Sequence, residues 1–356
     1  MIGGRRRGAG RLLGLRRPGT RAVAWAATAV ASLEAMSPVG VGDALDAEEL
    51  LGSARRPLVL GIGGGGDVVG ALATAEHARL YQRADPVLGG ISWERRPIDP
   101  RPGPRRAREI GEAQPLAEGI LLAGPRTSAG PVRFAESRMA EFLDAPTVLV
   151  DPHPGPARIA CSLRAAATKL GCDLLVFIDC GGDVLAVGDE RGLASPLCDA
   201  VMLAAAGRLQ DEGHAVLAGV FGPGCDGELT QAELSERFAV LGRAGALAGA
   251  RGLTARVAAR LHAATQTVLT EASALPLRAF AGEAGEVVIR EGGRVVTLSP
   301  AAALTVYFDA ARALSCAAPL ARAVRDAADL DEANAILRRR GVPTELDAQS
   351  GSPAAA

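Results

Sequence analysis

From residue 57 onward the chain alternates short apolar runs with longer stretches of helical period, and this rhythm restricts the fold more than any other feature. "PLVLGI" (57–62), "GILLA" (119–123), "PTVLVD" (146–151), "DLLVFID" (173–179) and "HAVLAGVFG" (214–222) read as buried strands. Each is short, Leu-rich or β-branched, and bounded by Gly, Pro or Asp. Helices are predicted at about 68–83, 157–170, 194–212, 230–248 and 253–272. Strand alternating with helix predicts an α/β fold: a three-layer, Rossmann-like, mainly parallel sheet with helices on both faces. "EVVIREGGRVVTL" reads as a C-terminal hairpin around Gly292 and Gly293, followed by Ser299 as N-cap and Pro300 opening a long helix. "RADPVLGGISWERRPIDPRPGPRRAREI" interrupts the rhythm as a long Pro- and Arg-rich loop, and Trp93 within it argues that the loop is ordered.

Three turns share one grammar. "GIGGGGDVVGAL", "IDCGGDVLAVGDE" and "GVFGPGCDGELT" each run from a strand through small residues to an aspartate, Asp67, Asp183 and Asp226. Turns after parallel strands gather beyond the carboxyl edge of the sheet, so the three are expected on one edge. Glycines at Gly63, Gly64, Gly65 and Gly66 let backbone N–H groups approach an anion with no Cβ in the way, and a following helix N-terminus favours negative charge. They are expected to form an anion cradle.

The carboxylates call for something else. Asp67, Asp179, Asp183, Glu190, Asp226 and Glu228 around one site would repel each other and an anionic ligand. A divalent cation, Mg²⁺ or Mn²⁺, resolves that conflict, because both prefer hard oxygen ligands and bind phosphate. The expected metal ligands are Asp67, Asp183, Asp226 and Glu228, with Asp179, Asp183 and Asp226 as the catalytic carboxylates. In the long loop, Trp93, Glu94 and Arg95 are expected to cover the substrate, and Arg95, Arg96, Arg105 and Arg106 offer guanidinium forks to phosphate.

Each feature also has a purely structural reading. A Gly-rich turn can be only a tight connection, and Asp at a helix start can be an N-cap. Ser195 before Pro196 reads as a cap rather than a nucleophile, and Asp199 one turn later stays open between surface and site. Asp151 ends a strand beside His153 and is a further candidate. Cys180 and Cys225 flank the acidic turns without an adjacent histidine base, which favours inert thiols. "GIGGGGD" is not a full GxGxxG, and no GxxxxGK[ST] occurs, which argues against nicotinamide binding and a P-loop kinase.

Composition narrows the setting. Lys+Arg 39 against Asp+Glu 40 gives nothing that points to nucleic acid, but seven arginines fall within residues 1–35 against Glu34 alone. The remaining 32 basic and 39 acidic residues make the rest of the chain acidic. Residues 1–45 read as a basic extension, either preceding a true start at Met36 or disordered, in preference to a secretory signal. Residues 46–345 read as a single domain and 346–356 as a disordered tail. Six cysteines without a CxxC pair and four scattered histidines fit reduced thiols in a cytoplasm and no zinc cluster. No run of strongly apolar residues reaches membrane-spanning length, so no membrane association is expected.

"GIGGGGDVVGAL", "WERRPIDPRPGPR", "IDCGGDVLAVGDERGLASPLCDAVMLAA" and "GVFGPGCDGEL", in this order, resemble domain-of-unknown-function family 1152 of archaea and bacteria, over about residues 50–345. The resemblance implies the domain and leaves the activity open. The residues themselves point first to a metal-dependent enzyme acting on a small anionic substrate, phosphorylated or nucleotide-like, by hydrolysis or group transfer. A non-catalytic binding protein and a biosynthetic ligase or transferase without a P-loop are the alternatives, and a homo-oligomer is compatible with each.

Overall fold

The computed structural model of the protein describes residue 1 and residues 44–290 and 293–350. The expectations for residues 2–43, for the hairpin tip at 291–292 and for residues 351–356 lie outside the described residues. Among the described residues the twelve strands are β1 (Pro57–Gly61), β2 (Val87–Ile91), β3 (Gly111–Ala117), β4 (Ile120–Ala129), β5 (Val132–Arg133), β6 (Thr147–Val150), β7 (Leu174–Cys180), β8 (Val216–Phe221), β9 (Leu247–Gly252), β10 (Gly285–Ile289), β11 (Arg294–Leu298) and β12 (Leu304–Phe308). The main sheet has the order β3-β4-β6-β2-β1-β7-β8-β12-β9, with β5 beside β4, and β10-β11 form a separate antiparallel hairpin.

The five central strands, β6-β2-β1-β7-β8, are parallel. Antiparallel strands close both edges. The chain moves from β1 outward through β2 to β6, then crosses back to place β7 on the other side of β1. The order therefore reverses between β1 and β7, and the turns that follow them diverge to leave a crevice at their carboxyl ends.

Side-chain alternation along the central strands builds the layers. Leu58 and Leu60 of β1 and Leu175 and Phe177 of β7 enter one core with helices Pro156–Leu170, Pro196–Asp211 and Leu330–Arg339. Val59, Val176 and Ile178 face the opposite core, under helices Ala47–Ser53, Asp67–Tyr81 and Ala255–Thr265. Burial on both faces explains why these strands are apolar throughout rather than alternating. Helix ends follow local chemistry. Pro156 sits in the first turn of its helix after Gly155, and Gly171 ends that helix in the left-handed region, φ 68°. Helix Asp67–Tyr81 lies close on the sheet because Gly70 has no side chain: a Cβ there would come 2.0 Å from Cys180 Sγ and 2.8 Å from Phe221.

Several expectations are corrected. "GILLA" is not a parallel strand; it opens β4, which pairs antiparallel with β3 across the turn at Glu118 and Gly119. The predicted helix 230–248 stops at Arg243, and its last residues enter β9. The predicted helix 253–272 is two helices, Ala255–Thr265 and Glu271–Phe280, the second capped by Thr270. Pro300 opens only a short 3-10 turn, Pro300–Ala303, because "LTVYF" carries the β-branched and aromatic residues that fill β12 beside β8. Residues 346–350 are ordered in helix Glu345–Ser350, where Gln349 is buried. β2 lies inside the segment read as a loop.

Candidate functional site

The crevice between β1 and β7 holds a cavity of about 160 Å³, walled by the turns after β1, β7 and β8 and the start of helix Pro196–Asp211. Gly63–Gly66, Asp67, Arg95, Asp179, Asp183, Asp199, Asp226, Glu228 and Arg290 line it. The three acidic turns thus meet at one edge.

The carboxylates fall into two groups. Asp67, Asp179 and Asp199 have oxygens within 4.8 Å of one another, and so do Asp183, Asp226 and Glu228. Asp179 is 1%, Asp199 2%, Asp226 4% and Asp183 5% exposed, so water reaches them poorly. Asp199 Oδ1, Asp183 Oδ2 and Asp226 Oδ2 are buried without a hydrogen-bond partner among the described residues. Burial first, and neighbouring carboxylates second, push Asp179, Asp183 and Asp199 well above the ordinary carboxylate range. Burial raises Asp67 to about 7, against the opposing pull of the Gly63 N–H and Arg95. Asp226 also rises to about 7, through burial and then Glu228. Leaving one such oxygen unsatisfied costs about 1–3 kcal/mol, more when it is charged.

The capping reading does not account for these residues. Asp67 Oδ2 accepts from Gly63 N at 2.9 Å, and its helix has Gly66 at the N-cap with no side-chain cap bond. Asp183 begins the 3-10 turn Asp183–Leu185 and caps nothing. Asp226 Oδ1 accepts from Glu228 N at 3.1 Å, which leaves Oδ2 open. Glu228 differs from the rest. Its Oε2 accepts from Ala194 N and Ser195 N, and its Oε1 accepts from Ser195 Oγ at 2.5 Å and lies 3.2 Å from Arg294 Nη1. Glu228 therefore holds the turn before helix Pro196–Asp211, and Ser195 occupies the N-cap position without using its side chain there.

The glycines serve the carboxylates as much as any anion. A Cβ on Gly63 would sit 2.6 Å from Asp67 Oδ2 and 3.0 Å from Asp199 Oδ2. On Gly66 it would meet the Thr270 side chain at 2.2 Å, and on Gly181 it would meet Asp226 Cγ at 2.2 Å. Gly63 N–H is taken by Asp67 and Gly65 N–H by Trp93 O at 2.8 Å. Among the described groups, the Gly64 and Gly66 N–H groups have no partner, which reduces a four-amide cradle to two donors.

Of the Trp93 loop, only Arg95 lines the cavity. Its guanidinium lies 4.4 Å from the Trp93 ring centroid and donates from Nη2 to Gly63 O at 2.5 Å, while Nη1 is buried and unpartnered. Trp93 is fully buried behind it and donates from Nε1 to Gln349 Oε1 at 3.0 Å, so its ring cannot cover a substrate. Glu94 accepts from Ala135 N and lies outside the lining. Arg106 starts the turn Ala107–Glu109, Arg105 forks onto Asp99, and Arg96 donates to Gln349 O; these three hold the loop rather than the cavity. Asp151 and His153 pair with each other away from it.

Sequence reasoning left Asp199 open and missed Arg290, Thr270, Glu271 and Glu345. Asp199 sits in a helix first turn, where an acidic residue reads equally as a dipole partner. Glu345 accepts from Leu197 N and Cys198 N and lies 3.6 Å from Arg95 Nη2, a link no local pattern announces. Cys180 and Cys225 are held as thiols, pushed up by burial and then by neighbouring aspartates.

Fold and cavity together define a Rossmann-like α/β protein whose switch-point crevice is lined by paired groups of carboxylates. The chain belongs to the family described as protein of unknown function (DUF1152), which matches residues 58–351. Neither a curated protein nor a solved structure matches the chain. Among the described residues, no helix is long and apolar enough to cross a membrane.

Proposed function

We propose that this protein is a divalent-cation-dependent enzyme acting on a small phosphorylated or nucleotide-like molecule, by hydrolysis or group transfer. One observation carries the reading: Asp183, Asp199 and Asp226, which line a single cavity, each carry a buried, unpartnered oxygen. Packing alone would select against such groups, whereas coordination of Mg²⁺ or Mn²⁺ would give such oxygens a partner. Bound cation would neutralise phosphoryl charge and acidify a coordinated water. Arg95 Nη1 and the Gly64 and Gly66 N–H groups supply donors for the anion's remaining oxygens.

The test is a thermal-shift screen of nucleotides and sugar phosphates with and without Mg²⁺ or Mn²⁺, followed by phosphate-release assays on the hits. Mn²⁺ at about 100 times its Kd is expected to raise Tm by about 5 °C. Asp183→Asn keeps the size of the side chain and removes its charge. It should melt no lower than wild type without metal, lose most of the Mn²⁺ shift, and release phosphate at least about 100-fold more slowly. A variant that keeps the wild-type shift and rate would refute the assignment. Tight phosphate-ester binding without turnover would select the binding-protein alternative.

A further inference from the structure

Resting on that reading, we infer that the cavity holds two divalent cations side by side, one on Asp67, Asp179 and Asp199 and the other on Asp183 and Asp226, and that they clamp a phosphate or diphosphate group between them.

The two carboxylate groups differ in origin and abut where Asp183 reaches Asp179. The first draws on the end of β7, the helix that follows β1, and helix Pro196–Asp211. The second draws on the turns after β7 and β8. Each has its own unpartnered oxygens, Asp199 Oδ1 in the first and Asp183 Oδ2 and Asp226 Oδ2 in the second. A single cation within the first group would leave the second unsatisfied, and the reverse is equally true. Each group also depends on a glycine that gives way to it: Gly63 to Asp67 and Asp199, and Gly181, at φ +125°, to Asp226. Side chains at either position would push the carboxylates apart.

Charge points the same way. Seven carboxyl groups, Glu271 included, line the cavity against the guanidinium groups of Arg95 and Arg290. If all are ionised, one divalent cation leaves a strongly negative cavity that rejects an anion, and two bring it near neutrality. Glu228 has both oxygens engaged in holding the Ala194–Ser195 turn and Arg294, so it orients the second position more than it ligates. Asp183 and Asp226 then supply the one or two carboxylates that a Mg²⁺-type ion takes alongside phosphate oxygens and water. Paired ions about 3.5–4 Å apart, bridged by a phosphoryl oxygen, are the arrangement suited to in-line displacement at phosphorus. The described lining residues are glycines, carboxylates, arginines and small polar groups, which recognise the phosphate itself rather than an attached ring.

The experiment is a Mn²⁺ titration of chelator-treated full-length protein, read by calorimetry for stoichiometry and by electron paramagnetic resonance for exchange-coupled ions, with and without inorganic diphosphate. Wild type should bind two Mn²⁺ per chain and show a coupled signal that sharpens with diphosphate. Asp199→Asn and Asp226→Asn should each retain one Mn²⁺ and lose the coupling. Asp183→Asn replaces Asp226→Asn if circular dichroism shows the latter unfolded. One Mn²⁺ per wild-type chain, two uncoupled ions, or both ions lost together in every variant would overturn the pairing. One Mn²⁺ with phosphate-ester turnover would sink the pair while leaving the proposed function intact. Two coupled Mn²⁺ without turnover would do the opposite.

Discussion

A methyl group at Gly63 would stand 2.6 Å from Asp67 Oδ2, whereas one at Gly65 would find only Arg95 Cγ, at 3.8 Å. Two glycines of one run therefore have different reasons to be glycine. Gly65 is required by its backbone, at φ +55°, where an L-residue costs about 1–2 kcal/mol. Gly63 is required by the carboxylates it admits. Gly63→Ala is expected to weaken Mn²⁺ binding at least about 10-fold, a loss of about 1.4 kcal/mol, with little change in the metal-free melting temperature. Gly65→Ala is expected to lower that melting temperature by a few degrees and leave Mn²⁺ affinity within about 3-fold. Calorimetric titration and melting of both variants would check this, and equal effects at the two positions would refute it. The run and its aspartate are plain in the sequence. Which glycine serves the fold and which the site depends on where Asp199 and Trp93 arrive from elsewhere in the chain.

Among the elements, helix Glu345–Ser350 ties most parts of the site together. Gln349 Oε1 accepts from Trp93 Nε1 at 3.0 Å and Gly103 N at 2.8 Å, Gln349 O accepts from Arg96, and Glu345 caps helix Pro196–Asp211 while facing Arg95. Gln349→Ala would leave two buried donors unpaired, at about 2–4 kcal/mol together. The variant should melt about 5–10 °C lower, and hydrogen exchange should speed up across residues 93–105 first. Unchanged protection there would show that the loop stands without this helix. A short polar segment carries no periodic signal, so sequence placed it in a disordered tail. β2 was missed for a related reason. "VLGGI" has two glycines and reads as a loop, but a Cβ on Gly89 would come 2.6 Å from Val148 O and one on Gly90 2.0 Å from Glu136 Oε1. These glycines exist for neighbours that only the folded sheet supplies.

For the whole molecule, the buried acids set the pH dependence of stability. Burial raises Asp67 and Asp226 to about 7 and Glu94 to about 6, and lifts Glu136 well above the usual range through burial and then Glu94. A raised carboxyl pKa means the folded state holds more protons than the unfolded chain. Stability therefore falls as pH rises from about 4, where the unfolded groups ionise, to about 7. With chelator present, Tm is expected to be highest near pH 4 and to decline towards pH 8. Saturating Mn²⁺ should remove most of that decline. Glu136→Gln, outside the cavity, should flatten part of it without altering Mn²⁺ affinity. A metal-free protein that grows more stable between pH 5 and 8 would show that these acids are ionised and otherwise compensated.

The βα alternation, the central parallel strands and the three acidic turns at one sheet edge were determined by the sequence alone, because each rests on short-range patterns: apolar runs, helix punctuation and the shared edge of parallel strands. Asp67, Asp179, Asp183 and Asp226 followed from that edge. Tertiary structure alone decided the two-group arrangement of the carboxylates, the entry of Asp199 and Arg290, the retreat of Trp93, Glu94 and Arg106 from the cavity, and Glu228's hold on Ser195. Those outcomes depend on contacts between segments tens to hundreds of residues apart. A side chain's role there is set by which neighbour reaches its hydrogen-bonding atoms first, and no local spacing encodes that.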